Sequence, residues 1–172
     1  MTAASFPSIL LQMNLIFRHA TPTDAPALTA LMHASTAYRG VYSCILDGYS
    51  VTPAQIATDI VTIAETEGKP VGFYSFVIGD DPELDLMFVA DAAQGAGVGR
   101  RLFDHLRESA AERRIAAIKI VSHPPSVGFY LRMGAITVGV KPPTGKVTWD
   151  RPVLRLSIGK LKFDTPPVAG VS

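Results

Sequence analysis

The sequence contains very little cysteine and almost no excess charge. Cys44 is the single cysteine among 172 residues, so a disulfide within the chain is excluded and a reducing, cytoplasmic environment is expected. Sixteen basic and fifteen acidic residues leave a net charge of +1, which gives no general attraction to nucleic acid. No apolar run reaches the roughly 18–20 residues that a membrane-spanning helix needs. These absences predict a globular protein with neither nucleic-acid nor membrane partners.

Histidines at metal-ligand spacing are also missing. The four histidines show nothing like the H-E-x-x-H pattern, in which two imidazoles share a helix face, so we expect no metal site. Apolar residues, by contrast, make up 48% of the chain, enough for one sizeable core. We predict a single domain over residues 13–160, between an N-terminal tail (1–12) and a C-terminal tail (161–172). Met13 stays open as an alternative start of the natural chain.

Hydrophobic periodicity and turn signals predict a mixed α/β (α+β) fold. The element order β-α-α-β-β-β-α-β-α-β-β gives a mostly antiparallel sheet of six to seven strands with about four helices. Thr23 is the expected N-cap of the first helix, and residues 36–50 are expected to form a loop with short helical turns. In the strand within P-E-L-D-L-M-F-V-A-D, alternation places Leu84, Leu86 and Phe88 on one face and the two acidic residues on the other.

The segment D-A-A-Q-G-A-G-V-G-R-R carries three glycines at alternate positions, Gly95, Gly97 and Gly99, ahead of a helix predicted over about residues 97–113. Such a segment exposes consecutive backbone N–H groups at the positive end of the helix dipole, which is a site for a pyrophosphate. A tight turn without a ligand is the alternative. The spacing differs from the dinucleotide fingerprint, and no carboxylate follows where a ribose would need one.

Two blocks of the sequence occur in the order and spacing of a known family. The first is L-D-L-M-F-V-A-D-A-A-Q-G-A-G-V-G-R-R-L-F, with the core motif at residues 94–99. The second, residues 122–139, contains an F-Y pair on a short helix that is followed by a strand. Together they resemble the GCN5-related N-acetyltransferase (GNAT) superfamily over residues 14–158. The resemblance implies a GNAT-like fold, in which splayed central strands form an acyl-CoA cleft.

The resemblance implies acetyl-CoA as co-substrate and suggests which residues hold it. In the family, backbone N–H groups of the glycine loop bind the pyrophosphate, and the splayed strand pairs with the pantetheine arm. A backbone amide near Val89 would face the acetyl carbonyl. His123 stands where the family often has Asn. The implied cofactor-binding residues are Met87, Phe88, Val89, Gln94, Gly95, Ala96, Gly97, Val98, Gly99, Arg100, His123, Ser126 and Phe129.

The implied reaction is direct attack of an amine on the acetyl thioester. A lysine-like amine has a pKa of about 10.4, so reaching its neutral form at pH 7 costs about 4.6 kcal/mol. Glu83 and Asp85 are the candidate bases, although an amine of low pKa would need none. Tyr130, the tyrosine of the F-Y pair, is the candidate general acid for the leaving thiolate.

The acceptor is expected to bind the segment that follows the first helix. There, Tyr38, Arg39 and Tyr42 are the candidate substrate-binding residues, with Tyr49 nearby. The chain has no acidic patch to attract basic protein tails, so a small-molecule amine is favoured. Two questions stay open. The same fold could bind acyl-CoA without catalysis, as a sensor or interaction module, and a homodimer would agree with the habit of the family.

Overall fold

Residues 14–159 are the part of the chain that the structure, a computed structural model, describes. The predicted tails, residues 1–12 and 161–172, lie outside them. Within the described residues, the strands are β1 (Ile16–His19), β2 (Ile60–Thr66), β3 (Lys69–Val77), β4 (Glu83–Val89), β5 (Ala117–Val121), β6 (Ile136–Lys141) and β7 (Arg151–Ser157). The α-helices are α1 (Ala25–Ala34), α2 (Pro53–Thr58), α3 (Val98–Glu112) and α4 (Val127–Arg132).

The seven strands form one sheet in the order β1-β2-β3-β4-β5-β7-β6. Neighbouring strands are antiparallel except for β4 and β5, which are parallel. Helices connect and cover the strands, and the described residues contain four α-helices. The predicted fold class, a mixed and mostly antiparallel sheet flanked by about four helices, is confirmed.

The two central strands are joined over only the first part of β4. The ladder between β4 and β5 contains two residue pairs, Glu83 with Lys119 and Leu84 with Ile120. Because β4 continues to Val89, its second half pairs with β3 but, within residues 14–159, has no strand on its other side. A gap therefore opens in the middle of the sheet, as the GNAT-like fold predicts.

A β-bulge at Asp85 reorients the second half of β4. Along the ladder with β3, β4 advances from Leu84 to Leu86 while β3 advances by one residue, so Asp85 has no residue opposite. An extra residue reverses the alternation of side chains beyond it. Leu84 packs in the core beneath α3, whereas Phe88 packs in the core beneath α1. Leu86 packs on the same side as Phe88, so the prediction that all three residues share one face is wrong for Leu84. A bulge leaves no mark in the polar–apolar pattern from which that prediction was made.

Two hydrophobic cores lie on opposite faces of the sheet. α3 buries its predicted apolar stripe, at four-residue spacing, against one face. α1 buries Leu28 and Met32 against the other face, together with Ile56 of α2. The sheet is covered on both sides, which fixes β4 and β5 around the gap. The stripe residues of α3 are Val98, Leu102, Leu106 and Ala110.

Capping hydrogen bonds lie at the N-terminus of α2 and at the turn before α1, where the N-cap differs from the predicted one. Thr52 caps α2 by accepting a hydrogen bond from a backbone N–H at 3.1 Å. Before α1, the chain makes a 3₁₀ turn over Pro22–Asp24, whose N-cap is Thr21. The Thr21 N–H donates to the Asp24 carboxylate at 2.7 Å. The prediction of Thr23 as N-cap is wrong, since the helical conformation begins one turn before α1.

Candidate active site

The glycine segment forms a loop that leads into α3, and two of its glycines adopt the left-handed backbone conformation. Gly95 and Gly97 have φ angles of 78° and 77°, which glycine alone adopts without strain. Gly97 is the N-cap residue of α3 and has no side chain with which to cap the helix. The first intrahelical bond runs from Arg101 N to Gly97 O at 3.1 Å, so the three preceding N–H groups have no intrahelical acceptor. The loop and helix start therefore offer a set of donors to an anion.

A cleft of about 430 Å³ lies between this loop, β4 and α4. Gly99 brings the helix start close to its walls, since a Cβ there would be 3.6 Å from Phe129 and 3.7 Å from Val89. Most of the predicted cofactor-binding residues line this single cleft. They are Met87, Val89, Gln94, Gly95, Gly97, Val98, Gly99, Arg100, Ser126 and Phe129.

The second half of β4 presents main-chain donors to the cleft. Ala90 donates its N–H to the Val71 carbonyl of β3 at 2.8 Å. N–H groups alternate in direction along a strand, so those of Met87 and Val89 point away from β3 and into the gap. An extended ligand can pair with such a strand, and a carbonyl oxygen can accept from its N–H groups.

Tyr130 of α4 lies at the inner end of the cleft. The residue is 9% exposed and its ring packs against those of Phe103 and Phe129, at centroid distances of 5.9 Å and 5.3 Å. Burial, with a smaller contribution from Tyr38, raises the pKa of Tyr130 above its ordinary value. The phenol therefore keeps its proton across the neutral range and is present in the cleft as a hydrogen-bond and proton donor.

Two further cavities continue from Tyr130 toward the α1 side of the sheet. A gap of about 60 Å³ shares Tyr130 and Met87 with the cleft. The same gap shares Asp85, Phe88 and His123 with a cavity of about 220 Å³, which we call the far cavity. The polar side chains lining the far cavity include Tyr38, Tyr49, Glu83, Asp85, Lys141 and Arg151.

Asp85 lies where the gap meets the far cavity. Gln55 Nε2 donates to its carboxylate at 3.4 Å, and Tyr49 OH donates to Gln55 Oε1 at 3.4 Å. Water reaches the carboxylate, but the cavity walls remove part of its hydration. This desolvation, together with the negative charges of Glu83 and Asp59, raises the pKa of Asp85. A carboxylate with a raised pKa is a better proton acceptor.

Glu83, the other predicted base, is engaged in an ion pair. Its carboxylate lies 2.7 Å from Lys119 Nζ, at the point where β4 and β5 are still paired. Lys119 also lies 3.5 Å from Asp81. Glu83 lines the far cavity but not the gap, whereas Asp85 lines both. Of the two candidates, Asp85 is the one placed beside the gap.

Three residues predicted at the cofactor lie away from the cleft. Phe88 lines the gap and the far cavity, because the bulge turns its ring toward α1. His123 lines the same two cavities; its ring stacks on Tyr38 at a centroid distance of 4.1 Å, and its Nε2 lies 3.2 Å from the Ala37 carbonyl oxygen. Ala96 does not line the cleft, and its N–H donates to a carbonyl within the loop at 3.3 Å.

Of the three predicted acceptor-binding residues, one lines the cavities and two lie outside them. Tyr38 lines the gap and the far cavity. Burial raises its pKa to about 12, so its phenol is uncharged at neutral pH. Tyr42 lines neither the cleft, the gap nor the far cavity; its ring packs edge-on against Trp149 at a centroid distance of 4.9 Å. Arg39 also lies outside these three cavities, exposed at the start of the 3₁₀ helix Gly40–Leu46.

Two basic residues of the far cavity were not predicted. Arg151 begins β7 and Lys141 ends β6, and the two are directly paired across the ladder of these strands. No motif marks either residue in the sequence. Only the strand register, which places β7 between β5 and β6, brings them to the cavity.

Neither a metal cluster nor a membrane-spanning helix is found within residues 14–159. No group of three or more histidine, cysteine, aspartate or glutamate side chains in this range could hold a metal ion. None of the helices in the same range has the length and apolar character needed to cross a membrane.

Comparisons with known proteins agree with this geometry. A sequence model of the acetyltransferase (GNAT) domain matches residues 51–144, more than half of the chain. A GCN5-related N-acetyltransferase from Rhodopseudomonas palustris is similar in fold, with 23% identity, a TM-score of 0.68 and coverage of 83% of this chain and 94% of that one. The ribosomal-protein-S18-alanine N-acetyltransferase from Escherichia coli gives 18% identity, a TM-score of 0.65 and coverage of 87% and 97%.

The PaiA N-acetyltransferase from Thermoplasma acidophilum, solved in complex with coenzyme A, is 16% identical with a TM-score of 0.62, and the match covers 84% of this chain and 99% of that one. A comparison with curated protein sequences gave no significant match. The domain match spans β3, β4, the glycine loop, α3 and α4, which together build the cleft. The chain therefore belongs to the GNAT family of acetyltransferases.

Proposed function

We propose that this acetyltransferase, with acetyl-CoA as its co-substrate, transfers the acetyl group to the amine of a small molecule by direct attack within a ternary complex. The observation that carries the proposal is the continuity of three cavities across the sheet. The cleft and the far cavity lie on opposite sides of the gap between β4 and β5, and each shares lining residues with it. Donor and acceptor can therefore enter from opposite sides and meet there.

The cleft suits the donor. The pyrophosphate would bind the N–H groups of the glycine loop and of the first turn of α3, where the helix dipole favours negative charge. Arg100 adds a positive charge at the rim of the cleft. The pantetheine arm would extend along β4 and pair with the N–H groups of Met87 and Val89, which brings the thioester to the gap.

The gap suits the reaction. The amine nitrogen attacks the carbonyl carbon of the thioester, so a C–N bond forms and the C–S bond breaks. A β4 N–H donates to the carbonyl oxygen as negative charge develops on it. Asp85, directly or through a water, takes a proton from the nitrogen, and the Tyr130 phenol gives its proton to the thiolate that leaves. The products are the N-acetyl compound and coenzyme A with a free thiol.

The far cavity supports a small acceptor. Its volume of about 220 Å³ is about seven times the roughly 30 Å³ that one water occupies in the liquid. The 3₁₀ helix Gly40–Leu46 covers one side through Ile45 and Leu46. Tyr38 and Phe88 pack on each other at a centroid distance of 5.6 Å and form an aromatic wall shared by the gap and the far cavity.

The proposal is tested by titrating acetyl-CoA into the protein by calorimetry, with two glycine variants alongside. Gly99→Glu places a carboxylate in the cleft at an unstrained position, whereas Gly79→Glu adds the same charge at a site with nothing within 4 Å. We expect micromolar binding to the wild type and to Gly79→Glu, and at least 10-fold weaker binding to Gly99→Glu. Absence of binding to the wild type would refute the proposal.

Thiol release measured over a panel of small amines then tests transfer itself. The expected result is turnover with at least one small amine, at a rate above the hydrolysis of acetyl-CoA without an amine. Binding of acetyl-CoA with no turnover for any amine would instead favour a non-catalytic acyl-CoA-binding module.

A further inference from the structure

The far cavity carries opposite charges at its two ends. Asp85 and Glu83 lie on β4, on the side of the gap, whereas Arg151 and Lys141 lie on β7 and β6. β5 runs between β4 and β7, so the backbones that carry the acidic and basic ends are at least two strand spacings apart, roughly 10 Å. A molecule that fills the cavity meets both ends.

The basic end lacks an acidic partner within residues 14–159. Arg151 and Lys141 face each other as a register pair, and like charges directly opposite in a sheet repel. Neither forms an ion pair with any carboxylate among those residues. The guanidinium donates one hydrogen bond, from Arg151 Nη2 to Thr144 Oγ1 at 2.9 Å, while its Nε is buried and has no hydrogen-bond partner. A buried donor without an acceptor is costly, and an anion would relieve both costs.

Other basic residues on the same face of the sheet are paired. Lys119 of β5 contacts Glu83, and Arg155 of β7 contacts Asp81. Arg155 lies four residues along the strand from Arg151, so the two share one face of β7. These two neighbours have acidic partners, whereas the pair that lines the far cavity has none among residues 14–159.

We propose that the acetyl acceptor is a zwitterion, an amine that also carries a carboxylate, and that Arg151 and Lys141 bind this carboxylate. The guanidinium can bind a carboxylate through two parallel hydrogen bonds, with the unpartnered Nε as one donor. The ammonium end lies toward Asp85. The ammonium loses one proton to water before the attack, and Asp85 takes the second proton from the nitrogen as the C–N bond forms. This inference rests on the proposed function, because it names the acceptor of the same site.

The test uses matched pairs of probes on protein saturated with coenzyme A, so that the glycine loop is already filled. Amine-free pentanoate and pentanamide are compared for their effect on the thermal midpoint. Then, with acetyl-CoA as the donor in place of coenzyme A, ω-amino acids of three to six carbons are compared with their carboxamides, and with an aminoalkyl phosphate, for kcat/KM. The variants are Arg151→Gln and Lys141→Gln, and the control is Arg155→Gln, which removes the same charge outside the cavity.

The expected result is that pentanoate raises the midpoint of the wild type and of Arg155→Gln but not of Arg151→Gln. We also expect the best ω-amino acid to exceed its carboxamide at least 10-fold in kcat/KM, and this ratio to fall below about 3-fold in Arg151→Gln. Lys141→Gln, at an exposed position, should reduce the ratio without affecting folding.

Equal behaviour of acid and amide in the wild type would overturn the inference while leaving acetyl transfer intact, as would a preference that both cavity variants retain. A stronger preference for the phosphate would overturn the carboxylate assignment. Should coenzyme A not bind at all, the proposed function fails, and the pentanoate comparison on the ligand-free protein still decides whether Arg151 binds a carboxylate.

Discussion

Tyr130 and Asp85 both line the gap in the sheet, and their surroundings shift both pKa values upward. For a phenol, a raised pKa keeps the proton on the group. For a carboxylate, it strengthens the group as a proton acceptor at neutral pH. Desolvation thus keeps the phenol protonated, although it also makes the phenol a weaker acid, and it makes the carboxylate a stronger proton acceptor.

Tyr130→Phe should lower kcat by about 10²–10⁴-fold and leave the affinity for acetyl-CoA nearly unchanged. The hydroxyl is lost, while the ring that packs against Phe103 and Phe129 remains. Steady-state kinetics, with calorimetry for acetyl-CoA, separates the two quantities. A weaker acetyl-CoA affinity with normal kcat would show that Tyr130 only shapes the cleft.

Asp85→Asn should lower kcat/KM by about 10²-fold or more and remove its fall at low pH. In the wild type, kcat/KM falls as the pH drops through the raised pKa of Asp85, because the protonated carboxyl cannot accept a proton. Glu83→Gln is the matched control, since that carboxylate is held by Lys119 and does not line the gap. A larger loss in Glu83→Gln than in Asp85→Asn would reverse the assignment of the base.

β4 is the element on which the site depends, and its position is set by the contact with β3 and α3. Gly72 of β3 is paired with Val89 of β4 beneath α3. A Cβ at this position would lie 2.9 Å from the Phe88 carbonyl oxygen and 2.8 Å from a Leu102 methyl group. The absence of a side chain here lets the helix, the strand and the open edge of β4 lie close together.

Gly72→Ala should lower the free energy of unfolding by about 1–3 kcal/mol, because the new methyl group overpacks a site closed by backbone. Moving β4 should also weaken acetyl-CoA binding. Gly79→Ala serves as the control, since a Cβ there meets nothing within 4 Å. Urea denaturation gives the free energy of unfolding of both variants. Equal free energies would mean that β3 and β4 move apart to accept the methyl group without loss of stability.

At the scale of the whole molecule, two histidines link stability to pH, the buried His123 and the half-buried His105. Burial lowers the pKa of His105, whose Nδ1 lies 3.0 Å from Tyr74 OH, and outweighs the opposing charges of Glu108 and Glu112. It also lowers the pKa of His123, which is 5% exposed, although the Ala37 carbonyl opposes the shift. The unfolded chain therefore binds protons at a higher pH than the folded chain does.

The melting temperature should fall as the pH is lowered from 7.5 to about 5.5, through the ordinary histidine pKa of about 6.5. Histidines that are neutral in the folded state must take up protons, which favours unfolding. His105→Asn should make the fall shallower. The ion pair between Arg18 and Asp24, which lowers the pKa of Asp24, adds its own loss only at more acidic pH. A melting temperature that stays constant over this window would contradict the argument.

The sequence was sufficient to predict the sheet, the helices and the glycine loop, because each leaves a local pattern of periodicity or glycine spacing. Most residues of the cleft were predicted because the resemblance to the GNAT family assigns the glycine loop, β4 and the start of α4 to the cofactor. The far cavity was harder, because it joins β4, β5, β6 and β7 with the chain after α1. Arg151 and Lys141 reach it through strand register, and Phe88 leaves the cleft through a bulge, neither of which has a sequence signal.

Besides the outer edges at β1 and β6, this sheet has a third edge in its interior, along the side of β4 that faces the gap. The groups along that edge belong to the main chain, and every amino acid except proline supplies the same N–H. A binding edge of this kind tolerates almost any side chain at Met87 and Val89, provided that the strand persists. Proline at Val89 would delete a donor while disturbing none of the bonds that β4 makes to β3, so of the nineteen possible substitutions at this position only proline removes the N–H that this edge presents.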